Sequence, residues 1–291
     1  MAVGALYAQV LWSTRLRARP NITSLPQSRL LLLLLQRAGL CQALGHLGTT
    51  VSLGAGPVSF THVVKSSEPL FSAVVSALLL GRRLPLPVYA TLLPVVGGVA
   101  YACVKEPAFS WLAFGMAMAS NMSFSLRAVW SKLAMTPTTT SFANVVDDSP
   151  SHSLTPPNAY ALITMASLTF CVPLVILGEG RHLSSSWQGA LQQASAGQLI
   201  RRLVLSGLYL HLCNEVMFLA LGSVHPVTLA VGNTMKRVFV MMASIVVFGN
   251  VVTTQAAIGS AVGLAGVLLY SLTKQHYESL ASSLAKKEKQ G

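Results

Sequence analysis

Charge is scarce in this chain, and acidic charge is scarcest. Only 10% of its 291 residues are charged and only 8 are Asp or Glu, where a soluble domain carries about 25% charged residues. So thin a supply excludes an ordinary water-soluble globule. Aromatic residues are also few, at 7%, and they do not interleave with basic ones. With no nucleic-acid-binding motif either, the net charge of +12 does not point to nucleic acid. The four cysteines, Cys41, Cys103, Cys171 and Cys213, form no CxxC pair and sit in apolar surroundings. They read as reduced, packed thiols. No cleavable leader is expected at the N-terminus, since Met1 runs straight into AVGALYAQVLWS; that stretch is short for a membrane span, so either the helix is abbreviated or further sequence precedes it.

What is abundant is apolar sequence, 53% of the chain at a mean hydropathy of +0.60. Several runs approach the ~20 residues a bilayer crossing needs, so the expected class is all-α, a polytopic membrane protein. The expected spans are Met1 to Thr14, Leu30–Leu53, Pro57–Leu80, Leu86–Val104, Ala108–Ala134, Asn158–Leu177, Leu199–Gly222, Pro226–Gly249 and Thr254–Leu272, nine in all. A polar loop rich in Ser, Thr, Pro and Asp, 136–157, joins two halves, and 179–197 reads as an interfacial loop or short helix. The tail, 273–291, is charged and expected to be solvated. If successive loops alternate sides, one side collects Arg15, Arg17, Arg19, Arg29, Arg82, Arg83, Lys132, Lys274, Lys286, Lys287 and Lys289. The other collects Lys105, Arg181, Arg201 and Arg202. The richer side is cytosol-like and holds the C-terminus, which puts Met1 opposite.

The halves repeat. A shift of 168 residues lays Phe71 on Phe239, Ser76 on Ser244, Gly81 on Gly249 and Gly98 on Gly266, and one residue more lays Pro57 on Pro226. Five steps from the third span to the eighth imply opposite insertion. Inverted repeats of this kind build transporters with a midplane site. The first repeat, 1–107, has four helices, and the second, 108–291, has five.

Four basic residues lie deep in the expected spans: Lys65, Arg127, Lys236 and Arg237. Each costs about 2.5–3.5 kcal/mol at the centre of a membrane helix, and such residues mark substrate paths. The deep acids, Glu68 and Glu215, are too few to pair with all four, while Arg37 is near enough to a span end to snorkel. A divalent anion would neutralise two cations, and a phosphate monoester carries about −1.5 to −2 charges. His46, Thr49 and Thr50 on the preceding span offer donors, with helix packing as the alternative role for His46 and Thr49. His211 and Cys213 are two apart on a helix and face different sides, which argues against a metal site with Glu215. No Ser/His/Asp set or aspartate pair points to an enzyme, and no cofactor is implied.

SFTHVVKSSEPLF, SNMSFSLRAVWSKLAM, HPVTLAVGNTMKRVFVMMASIVVFGN and TTQAAIGSAVGLAGVLLYS together resemble the plastid triose-phosphate/phosphate translocator family of the drug/metabolite transporter superfamily. The resemblance covers nearly the whole chain. It implies a fold of ten helices in two inverted repeats, the first helix having no counterpart here. It also implies exchange of phosphorylated C3, C5 or C6 compounds for inorganic phosphate. By motif, Lys65, Lys236 and Arg237 match the phosphate-binding cations, and GHLGTT places His46 and Thr49 at a substrate-contacting histidine and threonine. Cys213 stands where many members have a phosphate-touching tyrosine, and Leu229 where many have histidine. Cys213 and Arg127 complete the candidate list. The expected location is the plastid envelope inner membrane or a complex-plastid membrane. The competing readings are a Golgi or endoplasmic-reticulum nucleotide-sugar transporter, disfavoured by few aromatics near the Lys236–Arg237 pair, and a non-transporting truncated homologue.

Overall fold

A backbone that crosses lipid must satisfy its own hydrogen bonds, and the helix does so within one segment. The computed structural model describes residues 1–20, 28–81, 84–103, 109–135, 155–180, 183–223, 226–249 and 253–288. Among the described residues there are helices and no strands: α1 (Ala2–Ser13), α2 (Ser28–Ala55), α3 (Val58–Lys65), α4 (Glu68–Leu80), α5 (Leu86–Ala90), α6 (Leu92–Cys103), α7 (Trp111–Met135), α8 (Pro156–Glu179), α9 (Leu183–Leu191), α10 (Ala196–Ser223), α11 (Pro226–Phe248) and α12 (Thr254–Glu288). Each expected span falls on one helix or a consecutive pair. Among the described residues six stretches are long and apolar enough to cross a membrane: Arg29–Ala55, Val58–Leu80, Leu86–Cys103, Pro156–Glu179, Ala196–Ala220 and Thr254–Leu280. Helix α7 has the length, with 25 residues, but its apolar run is diluted by Ser120, Asn121, Ser123, Ser125 and Arg127.

The side chains are sorted for lipid rather than water. Leu78, Leu177 and Val246 are 78%, 84% and 79% exposed, whereas Ser52, Thr61, Ser120 and Asn121 are fully buried. A water-soluble protein sorts these residue types the other way. Small and polar residues between helices suit a membrane bundle, where apolar side chains gain nothing by leaving the lipid. The chain is an all-α, multi-pass membrane protein.

Two spans that the sequence suggests are continuous prove to be broken. Proline has no N–H and its ring presses on the carbonyl four residues back. Pro69 does this to Lys65, so α3 ends there and α4 starts at Glu68. Across the break the turns tighten, with Ser66 N donating to Val63 O at 3.0 Å and Ser67 N to Val64 O at 3.1 Å. Asn121 of α7 stitches the gap, its Nδ2 donating to Val64 O and to Ser67 Oγ, both at 3.2 Å. Pro94 likewise separates α5, ending at Ala90, from α6. Within 179–197 the chain forms the short helix α9, and α12 continues past Leu272 to Glu288, so most of the expected tail is helical. The polar loop lies outside the described residues from 136 to 154.

The chain packs as two compact units, one of Met1–Ala43 with Arg127–Ser223 and the other of Leu44–Leu126 with Val224–Gly291. In the first, α1, α8 and α10 pack on one another. Leu35, Ala38, Ala134, Ala159 and Ile163 form its apolar core. Arg37 is exposed, with its guanidinium 5.1 Å from the centre of the Trp130 ring. Trp12 Nε1 donates to Asn158 Oδ1 at 3.2 Å, and Asn158 Nδ2 donates to Ala18 O at 3.1 Å, tying down the segment after α1. From that segment Arg17 forms an ion pair with Glu215 of α10.

In the second unit α6 lies along α12, and α11 packs on both α3 and α12. The α6–α12 contact is backbone to backbone. Gly98 abuts Gly259 and Gly263, Gly259 abuts Ala102, and Gly266 abuts Val95. As the residue number rises along α6 through 95, 98 and 102, its partner on α12 falls through 266, 263 and 259, so the two helices run antiparallel. Gly81 and Gly249 end α4 and α11 in the left-handed region, with φ of 62° and 61°, a conformation glycine adopts without steric cost.

Candidate anion site

Three helices of the second unit converge on one ammonium group. Helix α3 ends on Lys65, α2 supplies His46 and Thr49, and α7 supplies Ser120 and Phe124. The approach of α2 to α7 depends on two glycines. A Cβ on Gly45 would sit 2.9 Å from the Phe124 ring, and one on Gly48 would sit 2.9 Å from Met116 O. With neither Cβ present, Thr49 Oγ1 and Ser120 Oγ come to 2.8 Å.

Lys65 Nζ donates to Thr49 Oγ1 at 3.0 Å and to Ser120 Oγ at 2.9 Å. It also lies 4.7 Å from the centre of the Phe124 ring, a cation–π distance. The same phenylalanine meets His46 edge-to-face, with ring centres 5.2 Å apart. Lys65, His46, Thr49 and Phe124 are half-buried, and Ser120 is fully buried. The result is a positioned positive charge with hydroxyl and imidazole groups beside it and an aromatic wall. Such a set can hold an anion, since a lysine ammonium acts on phosphate as a point charge.

Of the residues singled out from the sequence, the structure brings together Lys65, Thr49 and His46. Lys236 is exposed on α11, within the same unit. That helix reaches α3 through Met241, which packs on the cluster of Val63, Val99 and Ala102. Arg237 follows Lys236 on α11, but its side chain and that of Leu229 lie outside the described ones. Cys213 and Arg127 belong to the first unit. Cys213 is exposed on α10, and Arg127 Nη1 donates to Gln42 Oε1 at 3.3 Å. His211 is 3% exposed while Cys213 faces outward, so the two do point to different sides of α10. Because Arg17 takes Glu215, that acid is engaged by a cation outside the deep basic set. Sequence reasoning missed Ser120 and Phe124. The available signal was the run of polar residues Ser120, Asn121, Ser123 and Ser125 in α7, of which Ser120 is the one that meets the glycine-spaced stretch Gly45–Thr49.

Comparison with known proteins follows the same lines. The profile of the Triose-phosphate Transporter family matches residues 1–271. The triose phosphate/phosphate translocators of Flaveria trinervia and Flaveria pringlei, both described as chloroplastic, are 39% and 40% identical to the chain over 279 residues. Each alignment covers 96% of this chain and 63% of the relative. A chloroplastic glucose-6-phosphate/phosphate translocator 2 of Arabidopsis thaliana is 35% identical over 276 residues, covering 94% of this chain and 66% of the relative. The chain thus spans just under two thirds of the length of the Flaveria proteins. With a profile match over residues 1–271, the chain belongs to the Triose-phosphate Transporter family.

Proposed function

We propose that this protein is an antiporter that exchanges inorganic phosphate for phosphorylated C3 compounds (triose phosphate, 3-phosphoglycerate, phosphoenolpyruvate) or related sugar phosphates across a plastid membrane. The observation that carries the reading is Lys65. A broken membrane span sets its ammonium among Thr49, Ser120, His46 and Phe124, in a chain whose matched relatives are phosphate translocators. Lys236 and Arg237 supply the remaining charge. Neighbouring positions on a helix lie about 100° apart around its axis, an arrangement suited to gripping an anion from different angles.

The framework for transport is a pair of inverted repeats, 1–107 and 108–291. Three features support it. The matched glycines Gly81 and Gly249 share one left-handed conformation at equivalent helix ends. The matched helices α6 and α12 run antiparallel, as oppositely inserted halves require. Their contact is also reciprocal under the 168-residue shift: Gly98 against Gly263 becomes Gly266 against Val95. On this framework Lys65 comes from one repeat and the Lys236–Arg237 pair from the other.

Closing low-dielectric walls around like charges raises their repulsion. An empty site therefore resists occlusion, and a bound phosphate or phosphate ester removes the penalty. The ligand drives reorientation through its higher affinity for the occluded state, so transport is exchange and not net flow. Counter-exchange in liposomes tests this. Vesicles loaded with phosphate should take up labelled triose phosphate or a related sugar phosphate, and empty vesicles should not. Uptake into empty vesicles at the same rate, or a requirement for nucleoside monophosphate against a nucleotide sugar, would overturn the reading.

A further inference from the structure

The oxygens around Lys65 do not have enough hydrogens for every contact they make. Thr49 Oγ1 is 2.9 Å from Gly45 O, Ser120 Oγ is 2.8 Å from the same carbonyl, and the two hydroxyl oxygens are 2.8 Å apart. That makes three oxygen–oxygen contacts, and two hydroxyls hold only two hydrogens between them. The ammonium approaches both hydroxyl oxygens as a donor, at 3.0 and 2.9 Å, so neither hydroxyl hydrogen can point at it. One solution sends both hydrogens to Gly45 O. The other sends one hydroxyl hydrogen to its neighbour and the second to Gly45 O. In either, the lone pairs of both oxygens face the ammonium.

We propose that Ser120 is a positioning residue of the anion site: with Thr49 it forms a two-hydroxyl cradle, braced on the Gly45 carbonyl, that fixes where the Lys65 ammonium sits and how its N–H groups point. This rests on the reading of Lys65 as a phosphate-binding group. The structural reasons for Ser120 are specific. It is fully buried, so its hydroxyl has no bulk water to turn to. It faces a carbonyl that α2 can present only because residues 45 and 48 lack side chains. A lysine stem is long and loses rotamer entropy when held. A cradle that holds it in advance spares the anion that ordering cost, the gain expected of a pre-organised site. The cradle carries no charge of its own, so it orients the cation without competing with an anion for it.

The test is phosphate homo-exchange in liposomes by the full chain, with KM and maximal rate measured separately. Ser120→Ala should raise KM for phosphate about tenfold, the size of a hydrogen bond to a charged group. The maximal rate should stay within about twofold, the pattern of a lost binding interaction. Ser120→Cys fills the site with a slightly larger sulfur that is only a weak acceptor; it should behave as Ser120→Ala does and serves if the alanine variant folds poorly. Ser125→Ala is the control. It removes another buried serine of α7, one whose hydroxyl meets Ser72 at 3.2 Å, and KM should not move. The phosphate-induced rise in melting temperature in detergent should fall in Ser120→Ala, and adding Ser120→Ala to Lys65→Ala should lower it no further. A wild-type KM in both Ser120 variants, or an equal rise in Ser125→Ala, overturns the proposal. If Lys65→Ala itself exchanges phosphate as wild type does, the anion-site reading fails instead, so the two failures are separable.

Discussion

Gly97 and Gly98 are adjacent on α6, yet replacing each by alanine should move stability in opposite directions. A Cβ on Gly98 would lie 2.6 Å from Gly259 O and 2.8 Å from Gly263 Cα. These are backbone atoms of α12, with no flexible side-chain end to swing aside. Ordinary van der Waals contact begins near 3.4 Å and Gly263 N lies nearer still, so the helices must part by at least about 0.8 Å at this point. A gap of 0.5–1 Å forfeits about a quarter to a half of each contact's attraction, and forcing an extra methyl into a packed contact costs about 1–3 kcal/mol. A Cβ on Gly97 meets nothing within 4 Å. There the substitution only adds helix propensity, worth up to about 1 kcal/mol. Thermal melting of the detergent-solubilised protein, followed by loss of the monodisperse peak on size-exclusion chromatography, should place Gly98→Ala below wild type by several degrees. Gly97→Ala should lie at or above wild type. Equal melting temperatures for the two variants, or a more stable Gly98→Ala, would refute the close antiparallel contact on which the inverted-repeat reading leans.

The other expectations concern charge. Arg237→Ala should weaken phosphate binding by about 2–5 kcal/mol, measured as the shift in KM for counter-exchange, and Arg237→Lys should restore only part of it because lysine cannot form the bidentate contact. His46→Ala should change the ranking of organic phosphates more than it changes the KM for phosphate itself, which competition assays with unlabelled substrates would show, whereas Thr49→Ala removes the other hydroxyl that Lys65 donates to and should raise the phosphate KM much as Ser120→Ala does. Arg17→Ala should destabilise the fold by about 3 kcal/mol by leaving Glu215 buried without its cation. Arg17→Ala with Glu215→Gln should recover much of that loss in the same melting assay, and a double variant no better than the single one would count against the ion pair.

The spans were legible because lipid imposes one rule along the whole chain. Apolar runs of sufficient length are bounded by residues such as Gly81, Pro156, Pro226 and Gly249 that end or begin helices. The breaks after Lys65 and Ala90 were not read, although Pro69 and Pro94 advertise them. Hydropathy averages over a proline, whereas the hydrogen-bond ladder does not. Lys65, His46 and Thr49 stood out as polar groups in apolar helices. Ser120 and Phe124 did not, since a serine or phenylalanine in a membrane helix is unremarked until the register of α2 on α7 is known. The partner of Glu215 was beyond sequence reasoning altogether. Arg17 lies 198 residues away and reads as one more basic residue in a loop.

The break at Ser66–Ser67 also changes the electrostatics of the span that contains it. An unbroken helix carries its partial charges at its two ends, about half a unit positive at the N-terminus and half a unit negative at the C-terminus. Splitting the span into α3 and α4 creates a second pair of ends inside it. The negative end of α3 falls at Lys65, and the positive end of α4 falls at Glu68. Each new pole is thus met by a side chain of opposite sign, three residues apart. The span can interrupt its own peptide field within the membrane because the two charged residues that flank the gap are the ones that compensate its poles. A lysine placed one turn further along, beyond the gap, would instead meet the positive pole of α4.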